Sequence, residues 1–375
     1  MGNYKTLNEM FFSINANAGN VPTFFTKDTN KKFHGVTFRD AYTQGENLGL
    51  YLMSLGINPG DKVGLMSDNR VEWAIADMSV LLNGAANVPR GSDSTPQEIQ
   101  YILEHSESKV CFVEHGKLLE SVLPIIPQTS VTKLIVMDRE YVSRHESVIN
   151  LYDAIEKGKA LRESKLSELL KRARETKEDD LFTIIYTSGT TGLPKGVMLT
   201  HKNMIYNVVS IPPLVGIKKG DRVLSILPVW HVFERANDYS MVAAGSAIYY
   251  TNIRDLRDDF IKVKPTFMAS APRLWENLYA GIKSKVEKSE PIRQLLFNTA
   301  FEVGKTYKKG LDYIQGNELQ SKQEDGVEKI SRTVQSIVTT ANLAIPSTAL
   351  DKIVFEKIRE ALGGQLRGTI SGGGA

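Results

Sequence analysis

Residues 181–200 read LFTIIYTSGTTGLPKGVMLT. The first seven are uncharged and mostly apolar, as a strand buried on both faces requires. VMLT at 197–200 reads as a second short strand, and Thr200 stands where it can cap a helix beginning HKNMIYNVVS. Between the strands, Tyr186–Gly196 holds three glycines, four Ser/Thr hydroxyls, one proline and one lysine. Glycine lets the backbone approach a ligand closely. Main-chain amides exposed that way form a concave anion site. Lys195 adds a charge suited to a phosphate oxygen, and Thr187, Ser188, Thr190 and Thr191 can donate to phosphate or ligate Mg²⁺. This combination suits a polyphosphate. It is not the Walker loop, which needs glycine directly before its lysine and Ser/Thr directly after; here Pro194 precedes Lys195 and Gly196 follows.

Outward from that hairpin, the N-terminal part alternates helical and strand-like segments. TFRDAYTQGENLGLYLMSLG is an amphipathic helix with Ala41, Leu48, Leu52 and Leu55 near one face. NRVEWAIADMSVLLNGA is a second, with Asn69 as its cap and Trp73, Ala76 and Val80 inward. ANVPR reads as a strand, TPQEIQYILEHSE as a helix capped by Thr95 with Pro96 at its first position, and KVCFVE as another strand. The predicted class is therefore α/β, with mostly parallel sheets layered with helices. Residues 139–180 are charge-dense and suggest a boundary between a first α/β half, 1–175, and a second, 180–375. Residues 273–335 read as mainly helical and basic.

Composition narrows the function classes. Lys and Arg number 46 against 43 Asp and Glu, a net +3, which gives no support to nucleic-acid binding. One cysteine, Cys111, excludes an intrachain disulfide and any multi-cysteine metal site, and it sits in a strand-like run where a buried thiol is expected. That usage fits a reducing compartment, and a cytoplasmic location is expected. No apolar stretch approaches the roughly 20 residues of a membrane span. The lysine-rich helices suggest a peripheral contact with anionic lipid, set against the plainer reading of a solvated face. His34, His105, His115, His145 and His201 show no ligand spacing and read as structural or solvated.

IIYTSGTTGLPKGVMLTH resembles the signature of the AMP-binding, adenylate-forming enzymes, with the twelve positions Ile184–Lys195 all fitting. LGINPGDKVGLMSDNRVEWAIADMSVLLNGAANVP is similar to that superfamily's N-terminal block. LPVWHVFER, KPTFMASAPRLWENLY and GGQLRGTISGGGA are similar to its later segments. HVFER, APRLWENLYAGIKSKVE and a helical insertion at about 276–350 look most like long-chain fatty acyl-CoA synthetases. The resemblance implies the fold of their large N-terminal domain. It also implies a two-step reaction: a fatty carboxylate and ATP give acyl-AMP and pyrophosphate, then the thiol of coenzyme A displaces AMP.

By the same resemblance, Ser188, Gly189, Thr190, Thr191, Gly192 and Lys195 hold the β- and γ-phosphates of ATP, and Thr187 is the Mg²⁺ ligand. His231 lies near the reacting carboxylate, so His231 and Lys195 are the expected catalytic residues. Gly372, Gly373, Gly374 and Ala375 line the adenine and acyl pocket. Trp230 reads as a channel or core residue, and Glu234 with Arg235 as a structural ion pair. The superfamily pattern continues past Ala375, to a further Mg²⁺-binding Glu, a ribose-binding Asp and a C-terminal lid domain with its lysine. The expectation is an incomplete N-terminal domain, inactive alone. Two alternatives stay open: a non-catalytic nucleotide- or acyl-binding remnant, and a ligase for another carboxylic acid. Oligomeric state is not legible.

Overall fold

The structure is a computed structural model and describes residues 2–187, 192–317 and 325–372. The chain opens with α1 (Leu7–Ala18), the hairpin β1 (Pro22–Lys27) and β2 (Phe33–Thr37), and α2 (Phe38–Ser54). Strand and helix then alternate through β3 (Lys62–Met66), α3 (Val71–Leu82), β4 (Ala86–Arg90), α4 (Pro96–His105) and β5 (Val110–Val113). Next come α5 (Gly116–Val122), β6 (Lys133–Val136), β7 (Val148–Asn150), α6 (Leu151–Lys159) and α7 (Arg162–Glu175). The hairpin β8 (Leu181–Thr187) and β9 (Lys195–Thr200) flanks the glycine-rich segment. It leads into α8 (His201–Val215), β10 (Arg222–Ser225), α9 (Val232–Ala244), β11 (Ala247–Tyr250), α10 (Leu256–Val263) and β12 (Phe267–Ser270). Helices α11 (Pro272–Glu287), α12 (Pro291–Ile314), α13 (Gly326–Leu350) and α14 (Glu356–Ala361) precede β13 (Gly368–Ser371).

Among the described residues the strands form two sheets, ordered β7-β6-β5-β3-β4-β8-β9 and β13-β12-β10-β11-β1-β2. All neighbours are parallel except the hairpin pairs β8–β9 and β1–β2, so the expected α/β class holds. The sheets do not divide at the charge-dense stretch. β8 and β9, which follow it, extend the first sheet, while β1 and β2 join the second. The apolar run of β8 is buried on successive residues, hence on both faces, and the strand lies inside the sheet between β4 and β9. Charge-dense as that stretch is, its helix α7 buries Leu169 and Ala173.

By compactness the chain divides into two units. One comprises residues 1–259, 265–270 and 367–373; the other comprises 260–264, 271–366 and 374–375. The first unit holds both sheets. Side chains of its strand β5 alternate between two apolar clusters, Val110 and Phe112 in one, Cys111 and Val113 in the other. Burial pushes the Cys111 thiol well above its ordinary pKa, so it is inert. Helix α3 touches β3 and β4 of one sheet and β1 of the other, which is why nearly all its faces are buried. Thr95 and Thr200 cap α4 and α8 as expected. Asn69 does not cap α3; Arg70 occupies that position, and the Asn69 side chain goes elsewhere.

The second unit is helical, as expected for its sequence. α12 and α13 pack along one another, with Arg332 over the Tyr313 ring at 4.5 Å. Ile330, Val334, Ile337 and Val338 of α13 are exposed. Among the described residues, no helix is long and apolar enough to cross a membrane.

His201, at the start of α8, is buried rather than solvated, and its Nδ1 accepts the Leu7 N–H at 3.2 Å. Burial pushes its pKa down to about 4, so the folded ring is neutral where an unfolded one, near 6.5, takes up a proton. In that window the unfolded chain binds more protons, so stability rises with pH. Between pH 7 and pH 4 the loss from this group is expected to be about 3 kcal/mol. Urea unfolding across that range should show a shallower pH slope in His201→Gln; an unchanged slope would dismiss the assignment.

Candidate functional site

The glycine-rich segment leaves the carboxyl end of β8, where parallel sheets present ligand-binding loops. Thr187 and Lys195 are directly opposite each other in the β8–β9 ladder, the last pair before the turn. Opposed residues of an antiparallel pair share a face, and both are exposed. The hydroxyl and the ammonium therefore stand together on one open surface. Gly192 has φ +124°, a conformation reserved for glycine. Gly196 pairs with Tyr186, and a Cβ there would lie 2.9 Å from Ile184 Cγ2 and 3.3 Å from Tyr186 Cζ. Ser188, Gly189, Thr190 and Thr191 lie outside the described residues, as do Gly373, Gly374 and Ala375.

His231 follows β10 and is the N-cap of α9. Its Nδ1 accepts the Phe233 N–H at 3.3 Å, and although the residue is exposed, partial desolvation of the ring lowers its pKa from the ordinary imidazole value. A neutral ring with Nδ1 engaged carries its proton on Nε2, which makes it a donor on its free side. Asn69 fixes this segment: its Nδ2 donates to Ser225 Oγ at 2.9 Å and to the Leu227 carbonyl at 2.7 Å, and its Oδ1 accepts from Val229 N at 2.8 Å. An asparagine before a helix reads as a local cap in sequence; only the tertiary fold reveals this use.

Arg90, at the carboxyl end of β4, joins the two segments. Its guanidinium lies 5.2 Å from the Trp230 ring, donates from Nη1 to the Tyr186 carbonyl at 3.2 Å, and pairs with Glu98 through Nη2. Trp230 immediately precedes His231, and Tyr186 immediately precedes Thr187. Gly372 comes to the same region, since a Cβ on it would sit 3.0 Å from Phe233 Cζ. Its amide donates to the Ser270 carbonyl at 3.1 Å, prolonging the β12–β13 ladder.

The model of the AMP-binding enzyme family matches residues 16–375. The chain belongs to that family. Among similar proteins is a long-chain-fatty-acid–[acyl-carrier-protein] ligase, AEE15, chloroplastic, of Arabidopsis thaliana, 30% identical over 86% of this chain and 46% of its own length. The long-chain-fatty-acid–CoA ligase FadD15 of Mycobacterium tuberculosis is 31% identical over 90% of this chain and 51% of its own length. The chain spans about half the length of the curated relatives it matches. Among solved structures, the anthranilate CoA ligase AuaEII, in complex with anthranoyl-AMP, superposes with a TM-score of 0.61 at 22% identity, covering 72% of this chain and 51% of that one. That likeness shows the fold.

Behind the surface, this AMP-binding domain carries a buried polar network. Arg235 of α9 bonds Asp77 of α3, and Tyr239 Oη donates to the same carboxylate. Asn87 Nδ2 also donates to Asp77, while its Oδ1 accepts from Thr183 Oγ1 of β8 at 3.0 Å. The guanidinium is further stacked 4.7 Å from the Phe182 ring. Burial alone would lower the Arg235 pKa, but Asp77 and Tyr239 together outweigh it and hold the group charged. So Arg235 does not pair with Glu234: consecutive helical residues point to different faces. Glu234 and Asp238, four residues apart on one face, are both buried. Burial, and for Glu234 also the nearby Asp238, holds these carboxyls above their usual range. Among the described residues, no cluster of three or more His, Cys, Asp or Glu is placed to hold a metal ion. A magnesium ion borne by a triphosphate needs few protein ligands, and the open Thr187 hydroxyl beside Lys195 fits one.

Proposed function

We propose that this chain supplies the nucleotide-phosphate site, and part of the acid site, of an ATP-dependent ligase that activates a long-chain fatty acid. The reading rests above all on Thr187 and Lys195 facing each other at the rim of the glycine-rich segment. Residues 188–192 give amides and hydroxyls to the β- and γ-phosphates, Lys195 gives a positive charge, and Thr187 reaches the metal. A magnesium ion held by Thr187 and the triphosphate would neutralise charge that builds on the departing pyrophosphate. The fatty carboxylate oxygen attacks the α-phosphorus as the bond to pyrophosphate breaks, leaving acyl-AMP. His231, neutral with Nε2–H free, donates to the carboxylate and later to the acyl carbonyl. Gly372–Ala375 leave room for adenine and the acyl chain. The thiol of coenzyme A then attacks the acyl carbonyl, and AMP leaves.

A second reading concerns the thiol. AEE15 is named for an acyl-carrier-protein acceptor, at an identity to this chain equal within a point to that of the CoA ligase FadD15. Enzymes of this kind hold their intermediates more tightly than their substrates. Calorimetry with non-hydrolysable acyl-AMP mimics should therefore show the long-chain mimic binding more tightly than AMP and more tightly than an aromatic mimic. Tighter binding of the aromatic one would reassign the acid; no binding of any would remove the acid site from this chain. Offering coenzyme A and acyl carrier protein side by side to the protein loaded with acyl-AMP separates the acceptors.

A further inference from the structure

Helix α4 carries none of the residues to which a role has been given, yet it touches both ends of the segment that has one. On the entry side, Arg90 donates to the Tyr186 carbonyl at 3.2 Å and is held by Glu98 of α4. The Tyr186 hydroxyl meets His105 Nδ1 of α4 at 2.7 Å. On the exit side, Tyr101 of α4 donates its hydroxyl to the Pro194 carbonyl at 3.2 Å. The three rings form one cluster: Tyr101 stacks on His105 with centroids 5.3 Å apart, and each meets the Tyr186 ring edge-on, at 6.2 and 5.8 Å. Tyr186 in turn covers Gly196 across the ladder.

Glycine loses more conformational freedom on ordering than any other residue, so a glycine-rich segment whose rims are already held has less left to lose on meeting a ligand. We propose that Arg90, Tyr101 and His105 are positioning residues that clamp both rims of the phosphate segment, Tyr186–Thr187 and Pro194–Lys195, to α4. The clamp holds the Thr187–Lys195 pair in its facing geometry before ATP arrives, so less ordering is left to the binding step. Arg90 is needed for its shape as well as its charge, because its planar fork serves Glu98 and the Tyr186 carbonyl at once. The inference rests on the proposed phosphate site and adds the residues that set its geometry.

The β- and γ-phosphates distinguish this role from a general contribution to the fold, since AMP lacks both. Calorimetric titrations of the chain with MgATP and with AMP should be compared for wild type, Tyr101→Phe and Arg90→Lys. Each variant is expected to bind MgATP about five- to tenfold more weakly, the equivalent of one lost hydrogen bond, while AMP affinity stays within about twofold. Amide hydrogen exchange should quicken at Tyr186, Thr187 and Lys195 and stay unchanged at Val110–Val113. Tyr101→Phe is isosteric and preserves the core, so it carries the test if Arg90→Lys folds poorly. Equal weakening toward both nucleotides, or unchanged affinity with unchanged exchange, overturns the clamp. Failure of the wild type to bind MgATP overturns the phosphate site itself, and the clamp with it.

Discussion

Asp77→Ala is expected to destabilise the chain by about 3–5 kcal/mol, a large share of the stability of an ordinary domain. The substitution leaves the Arg235 guanidinium charged and enclosed, with Trp73, Phe182 and Tyr239 rings around it and no counter-charge. It also strips acceptors from Tyr239 and Asn87. Asp77→Leu combined with Arg235→Met removes both charges and should recover most of the loss, because a buried pair is costly to break yet nearly neutral to replace. Urea unfolding of the two variants checks this: a double variant no more stable than Asp77→Ala contradicts the account. Glu175→Ala, at an exposed pair with Lys171, should leave the unfolding midpoint unmoved.

Lys195→Ala should lower MgATP affinity by about 10- to 100-fold, the usual worth of a hydrogen bond to a charged group. The side chain is exposed, so the fold is expected to survive intact. The deficit should fall on MgATP and spare AMP. Lys195→Arg should recover only part of the loss, since the guanidinium spreads its charge and cannot take the place of a compact ammonium. Equal weakening toward ATP and AMP, measured by calorimetry, would move Lys195 away from the β- and γ-phosphates.

Periodicity and turn chemistry carried the fold class and the hairpin β8–β9, because both are local: an apolar run, a glycine cluster, a second apolar run. Thr95 and Thr200 were legible as caps for the same reason. Asn69 was not, since a cap and a long-range hydrogen bond leave the same residue at the same place in the sequence. Sheet membership was also hidden. Nothing near β1 says that it pairs with β11, more than two hundred residues away, or that β8 pairs with β4. Arg90 reads as the charged end of a short strand until that pairing brings it beside Tyr186. The adjacency of Glu234 and Arg235 suggested a pair, but helical geometry sent the arginine to Asp77 instead. His201, open between a structural and a solvated reading, proves structural, because its partner Leu7 lies nearly two hundred residues away.

The central claim is that Thr187–Lys195 surrounds the triphosphate. Paramagnetic broadening of amide resonances by manganese–ATP tests it most directly, because the ion travels with the phosphates. The account predicts that signals of Thr187, Gly192, Leu193 and Lys195 vanish at substoichiometric manganese, while those of Val148–Asn150 in β7 persist. Saturable nucleotide binding that leaves the Thr187–Lys195 signals sharp would contradict it.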